Sequence, residues 1–333
     1  MSRTISRRLG VLLALAGGLC GGCATQQPKT PPMAVDQLVA QYNADVAPVT
    51  TLFAKARIQI SGPYNWGSTL GSPNGTLMLG KGKSVLGPGN FVLIGRESSV
   101  PIFNLGTNID ENVYYFWANI GDKGKAWLGS LDLAGAPGVK DIPIDPTQLV
   151  SVLCVSELPS DLTKLPAVAM TMHRPVQGVF GPAAGDDFAY VLTYIDHQPL
   201  SNRILFKREV YFRWSDSQPC RPFKVNLIDE RGNRVMTALL KDYQPIKMPE
   251  GYTGPVPVMP ADIDITWPAR GSRIHIALSL MTVGRGDPAQ ASSFANKPAS
   301  LNDIEFVDED LLGTLRSVPP VQSSQPASAG ASE

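Results

Sequence analysis

Between Leu52 and Ser61 apolar and polar positions alternate. Ala54, Ala56, Ile58 and Ile60 fall on one side, and Lys55, Arg57 and Gln59 on the other. A period of two is that of a strand with one buried face. Short segments of similar character recur at 75–80, 90–97, 101–106, 112–118 and 125–130, and again at 187–196, 203–214, 222–229, 234–246, 261–268 and 272–284. Each is rich in β-branched or aromatic residues and is bounded by Gly, Pro, Asn or Asp, which favour turns. In the last segment Ile274, Ile276, Leu278 and Leu280 share one predicted face, opposite Arg273, His275, Ala277, Ser279 and Met281. Asp229 to Asn233 reads as a hairpin turn in which Gly232 and Asn233 are both able to take positive φ. The pattern predicts about twelve strands.

Helical spacing is confined to a few places. Val35, Leu38, Val39, Tyr42 and Val46 predict an amphipathic helix over 34–47, stopped by Pro48. Asp145 is placed to cap a second helix, with Pro146 at its first position and Leu149, Val150, Leu153 and Cys154 as its apolar stripe. A weaker helical segment is expected over 158–172. No linker of domain-boundary quality separates the two groups of strands. The expected fold is therefore mainly β with a few helices: one strongly curved antiparallel sheet over 34–312, its concave side covered by the helices. From 313 to 333 the chain has too few apolar residues to fold and is expected to be a disordered tail.

The N-terminal end has a different pattern. Arg3, Arg7 and Arg8 precede a short apolar run from Leu9 to Leu19, and Gly21 and Gly22 precede Cys23. The run is too short to span a bilayer and reads as a secretory signal over 1–22 with a small-residue cleavage site. Cys20 and Cys23 are three apart, but they border a hydrophobic segment with no fold around it, which disfavours a metal or redox pair. Cleavage before Cys20 would put Leu19 where a small residue is expected, so Cys23 is the better +1 position. An ordinary signal peptide or an N-terminal anchor is the simpler alternative. Residues 23–33 are polar and Pro-rich and read as a flexible tether.

Composition narrows the function. The 333 residues carry 29 basic and 29 acidic side chains, and removal of the signal leaves 26 against 29. Such a chain has no basic stripe of the kind that binds nucleic acid. Gly and Pro number 31 and 29, which suits a turn-rich exported β domain. Cys154 and Cys220 remain after processing. In an oxidising compartment they form either a disulfide closing a long loop or two separate buried thiols.

The residues Gly22-Cys23 resemble the lipobox of bacterial lipoproteins, although Cys20 stands at −3 where a branched aliphatic is usual. The resemblance implies a lipid on Cys23. The body of the chain is similar in plan to the LolA/LolB-like family of outer-membrane lipoprotein-sorting carriers. The likeness runs through the helix at 37–46, "AKARIQIS", "GNFVLIGRESSVPIFNLGTNIDENVYYFWA" and "RILFKREVYFRW…PFKVNLIDERGNRVMTALLKDY", and covers 35–283. It implies an unclosed β-barrel around an apolar cavity. This chain is longer than those carriers, notably between Gly129 and Asp187, and an anchor on Cys23 makes it more like the membrane-bound acceptor than the soluble carrier.

On that plan Phe91, Leu93, Ile102, Phe103, Tyr115, Trp117, Leu192 and Tyr194 are expected to line a cavity for lipid or lipoprotein acyl chains. The bland alternative is that these side chains fill a core. Arg96 and Arg213 are placed to meet anionic head groups or simply to solvate the surface. His173, His197 and His275 lack metal-ligand spacing, and no G-x-S-x-G elbow or phosphate-loop spacing occurs. Asp186-Asp187 and Asp308-Glu309-Asp310 read as solvated loop charge. No catalytic centre, metal or cofactor is expected. The expected protein is a non-enzymatic lipoprotein of the bacterial envelope, at the periplasmic face of the outer membrane, because Ala24 and Thr25 follow Cys23 rather than an Asp. A structural or assembly lipoprotein acting through protein contacts is the alternative. Mass spectrometry of the processed N-terminus is expected to find acylated Cys23, and Cys23→Ser to release the protein from membranes.

Overall fold

The computed structural model describes residues 28–62, 70–82, 89–120, 123–136, 138–140, 142–174, 188–198, 203–216, 221–299 and 301–309. The expected signal segment, Cys23, Asp186-Asp187 and the tail at 313–333 lie outside these residues, as does Cys220 of the disulfide alternative.

Fourteen strands, counted among the described residues, form one sheet. The first meander comprises β1 (Thr51–Ser61), β2 (Leu70–Gly80), β3 (Asn90–Glu97), β4 (Val100–Asn108), β5 (Val113–Ile120) and β6 (Lys123–Ser130). The second comprises β7 (Ala167–His173), β8 (Ala189–Gln198), β9 (Arg203–Arg213), β10 (Pro222–Ile228), β11 (Arg234–Pro245), β12 (Val258–Trp267) and β13 (Ser272–Thr282). The short β14 (Asp303–Phe306) follows. The spatial order is β14-β6-β5-β4-β3-β2-β1-β13-β12-β11-β10-β9-β8-β7. The meanders join where β13 pairs antiparallel with β1, from Phe53↔Thr282 to Ser61↔Arg273. Pairing is antiparallel throughout except at β14, which runs parallel to β6. The sheet is curved, and its ends, β7 and β14, do not meet.

The inner face carries the main core. Helix α1 (Val35–Val46) buries Leu38, Val39, Tyr42 and Val46 on it, the stripe read from spacing. Helix α2 (Pro146–Val152) starts at Asp145, whose carboxylate accepts from Thr147 N at 2.9 Å. It ends where Cys154 adopts φ 54°, which a non-glycine residue rarely takes. Trp267 Nε1 donates to Gln148 Oε1 at 2.8 Å, so α2 is fastened to β12 by a bond between two buried side chains. A smaller cluster of Tyr115, Trp117, Ala126 and Leu301 lies on the outer face. There the chain after β13 covers the sheet, the short helix α3 (Pro288–Ala291) against β2 and β3 and Phe294 and Leu301 against β5 and β6.

Gly95 makes room for curvature. A Cβ there would sit 2.1 Å from the Phe103 ring across the β3–β4 pair, so the ring lies flat on the glycine.

Four expectations need correction. The segment 158–172 is not helical: Ala167–His173 forms β7, because Val168, Met170 and Met172 alternate onto the core. The alternation in β13 breaks at Leu280, which takes φ 50° and is 63% exposed, while Met281 turns inward to 5%. The β1–β13 register shift between Phe53 and Lys55 absorbs this extra residue. Only Gly232 takes positive φ in the β10–β11 turn, where Asp229 Oδ1 accepts from Asn233 N and holds that residue in place. Asp308 is not solvated: it is buried and accepts from Ser130 N at 2.7 Å.

Leu149 is fully buried in the layer between α2 and the sheet. Leu149→Ala is expected to cost about 2–5 kcal/mol, read as a lower midpoint in urea with an unchanged slope.

Candidate functional site

The inner wall is built by strand parity. Phe91 and Leu93 of β3, Phe103 and Leu105 of β4, Phe116 of β5 and Trp127 of β6 face inward on one half. The Phe116 and Trp127 rings stack at 5.4 Å and 9°. On the other half Tyr190, Leu192 and Tyr194 of β8 and Val210, Phe212 and Trp214 of β9 do the same. All of these belong to one continuous cluster with the cover formed by α1, α2 and the segment that follows α2.

Of the eight residues expected to line a cavity, Phe91, Leu93, Phe103, Leu192 and Tyr194 meet on this inner wall, fully buried. Ile102 is half-buried at its margin. Tyr115 and Trp117 do not join them. Odd positions of β5 point to the outer face, where both pack with Leu301. Adjacent residues of a strand face opposite ways, so "YYFW" supplies both layers.

The cover touches the wall through apolar side chains and a few side-chain hydrogen bonds. Tyr42 Oη donates to Ser156 O at 2.9 Å, and Asn43 bonds both the N and the O of Leu158 at 2.7 and 2.8 Å. These tie α1 to the segment after α2. Arg270 donates to Ile142 O at 2.7 Å, and Lys81 Nζ to Val46 O at 2.7 Å. No strand of the ladder is contributed by the cover, so its displacement breaks no sheet hydrogen bond.

A polar group lies inside this apolar layer. Arg208 of β9 is only 6% exposed. Its guanidinium lies 6.0 Å from the Tyr194 ring centre and donates to Ser151 O at 3.4 Å. Tyr42 and Cys154 lie near it, and Tyr243 lies near Cys154. Burial raises both phenols well above the usual range, and it pushes the Cys154 thiol up to about 12. The strand "KREVYFRW" held the signal for Arg208, which shares the parity of Val210, Phe212 and Trp214.

The remaining singled-out residues lie apart from this wall. Arg96 donates to Thr76 Oγ1 at 3.0 Å on the outer face. His275 sits 3.2 Å from Asp262 on the adjacent strand, and Arg273 grips Asp264 with two hydrogen bonds. The His173 ring lies 6.3 Å from Tyr211, and the side chain of His197 lies outside the described residues. Cys154 is a free thiol. Among the described residues no helix is long and apolar enough to cross a membrane.

The strand order and helical cover define an unclosed β half-barrel. No family model and no curated protein matches the chain. Among solved structures it is similar to a DUF1329 family protein from Desulfovibrio piger, at 9% identity and a TM-score of 0.47, covering 78% of this chain and 96% of that one. It is also similar to a putative outer membrane lipoprotein-sorting protein domain from Vibrio parahaemolyticus, at 10% and 0.45, covering 78% and 95%. A LolA superfamily protein from Nitrosomonas europaea aligns at 10% and 0.42, covering 80% and 100%. At such identities and TM-scores the likeness assigns neither ligand nor activity.

The raised thiol gives a pH dependence of definite sign. Its ordinary value is 9.0, and in the fold it ionises near 12. Between those values the unfolded chain has released a proton that the folded chain keeps, so stability falls as pH rises. The contribution is fully present below pH 9 and lost on passing 12. Tyr42 and Tyr243 add to the loss above pH 10. Urea unfolding at pH 8, 9.5 and 11 is expected to show a decline that Cys154→Ala makes shallower.

Proposed function

We propose that this protein is a lipid-anchored lipoprotein of the bacterial cell envelope, tethered through Cys23 at the periplasmic face of the outer membrane. It binds lipid or lipoprotein acyl chains against the inner wall of its half-barrel and serves carriage, not catalysis. One observation carries the reading. An apolar wall with a buried guanidinium, Arg208, lies under a cover that contributes no strand to the sheet and, among the described residues, is tied together by side-chain hydrogen bonds.

The magnitudes favour exchange over permanent capture. An acyl chain gains about 0.8 kcal/mol per buried methylene, so about a dozen methylenes supply ~10 kcal/mol. Lifting α1 exposes Leu38, Val39, Tyr42 and Val46. At about 1.5–3 kcal/mol for each large apolar side chain, that loss is of the same order. A chain entering under the cover therefore replaces contacts instead of adding to them, which suits loading and release. Arg208 is placed to meet the ester or carboxylate end, through charge-assisted hydrogen bonds.

A second reading is favoured by the packing of the wall, where five of the expected lining residues are fully buried against protein. It makes the sheet a rigid platform for another envelope protein. The two readings part on one experiment: native mass spectrometry of protein extracted from membranes, followed by displacement of a fluorescent fatty-acid probe. Carriage predicts co-bound acyl lipid. Asn43→Ala, which frees the cover from Leu158, is expected to speed probe uptake severalfold. Arg208→Met is expected to weaken probe retention about tenfold, the loss of one charge-assisted hydrogen bond. Protein free of lipid that takes up no probe, with or without Asn43, would leave the platform reading standing.

A further inference from the structure

We propose that a pocket at the ends of β9, β10 and β11 binds the phosphate of anionic phospholipid head groups and sets the half-barrel's orientation on its membrane. The proposal rests on the anchored reading of Cys23.

The N-terminal segment gives the direction. Lys29 N donates to Asp216 Oδ2 at 2.8 Å and Thr30 N to Asp216 Oδ1 at 2.7 Å. Thr30 Oγ1 donates to the same carboxylate. Trp214 Nε1 donates to Thr30 O at 3.2 Å, and Met33 N to Tyr190 Oη at 2.9 Å. Residues 29–33, within the stretch expected to be a tether, are thus docked where β8 begins and β9 ends. Lys29 lies only six positions after Cys23, and at about 3.3–3.6 Å per residue that span reaches no more than ~22 Å. A lipid on Cys23 therefore holds this end of the sheet close to the bilayer surface, whatever path the intervening residues take.

That end carries a built pocket of about 500 Å³ lined by Arg213, Arg221, Phe223, Lys241, Asp242 and Tyr243. Arg213 N donates to Arg221 O at 3.1 Å, three residues from the Asp216 that holds the segment. The Arg213 guanidinium lies over the Phe223 ring at 5.6 Å, and that of Arg221 over Tyr243 at 5.4 Å. Tyr243 Oη donates to Pro222 O at 2.5 Å, which fixes the ring beneath Arg221. Arg221 Nε is buried and makes no hydrogen bond among the described residues, so ring contact positions this guanidinium. Three cations face one carboxylate, Asp242, and the two arginines are mounted on aromatic faces. Guanidinium groups held this way suit a phosphate diester, whose oxygens match the guanidinium fork. The connection after β11 leaves from the same end and exposes Val256 at 57%, an apolar contact for the lipid interface.

Near an anionic membrane surface each arginine is worth roughly a factor of five in binding, so the pair is worth about twentyfold. The test uses the chain from residue 23 carrying Cys23→Ser, so that no lipid anchor contributes, floated with phosphatidylethanolamine vesicles containing 30% phosphatidylglycerol. Saturable binding that weakens about twentyfold in Arg213→Gln/Arg221→Gln supports the proposal. So does retention of binding in Arg213→Lys/Arg221→Lys, which keeps the charge, with thermal unfolding verifying the fold of each. Lys55→Gln/Arg57→Gln removes the same charge from the outer face of β1 and is expected to change binding less than threefold. Equal weakening by both Gln pairs would overturn the pocket, because net charge alone then accounts for the binding. Equal binding to pure phosphatidylcholine vesicles, no binding at all, or complete displacement by 10 mM inorganic phosphate would overturn it as well. The two failures separate cleanly. Lost vesicle selectivity with an acylated Cys23 in membrane-extracted protein overturns the pocket alone. An unmodified Cys23 overturns the anchor on which the proposal rests.

Discussion

The pairing of β1 with β13 holds the architecture together. β1 is hydrogen-bonded on both sides, to β2 and to β13, and so joins an early meander to a late one across more than two hundred residues. Local hairpins account for each half, since nearly every other neighbour in the sheet is also a neighbour in sequence. The joining ladder is the long-range step, and it makes one curved surface out of two. Ile58 opposite Ile276 and Ile60 opposite Ile274 give that ladder an inner face with no polar interruption. The bulge at Leu280 then ends the regular alternation beside Phe53.

A curved sheet that does not close leaves one apolar face to be covered by something other than sheet. Here α1, α2 and the chain between β6 and β7 do so, contributing no strand to the ladder, and α1 and α2 meet the wall through side chains. That division has a functional consequence. The ladder carries the backbone hydrogen bonds and is expensive to disturb, whereas the cover is held mainly by non-directional apolar contact, which an acyl chain can replace. Arg208 adds a cationic point to a largely apolar interior. The outer face is treated differently on its two halves. Around Tyr115 and Trp117 it is closed by the chain after β13. Around Tyr211 and Phe223 it stays open and is edged with cations.

In the proposed reading, membrane attachment through Cys23 and head-group binding meet at the same end of the molecule. The docking of Lys29 and Thr30 on Asp216 converts what would otherwise be a loose leash into a short lever. A short lever would limit how an anchored half-barrel lies on a bilayer, and the proposed role of the arginine pocket beside it is to supply the charge that selects one orientation.

Apart from β7, the sequence by itself determined the strands of both meanders and helices α1 and α2, because periods of two and 3.6 and the Asp145-Pro146 start are local properties. It also determined the inward set Phe91, Leu93 and Phe103, because alternation fixes which residues share a face. It did not place Tyr115 and Trp117, since alternation within "YYFW" says that faces differ but not which face is inner. β7 and β14 escaped because their burial is slight or their length only four residues, so little hydrophobic signal marks them. The tertiary structure alone decided that β13 returns to β1, that Arg208 lies inside, that Asp308 is buried on Ser130, and that residues 29–33 dock beside an arginine pocket. Each of these is a meeting of segments far apart in the chain, governed by which surfaces remain to be covered once the local elements have formed. No local pattern encodes that.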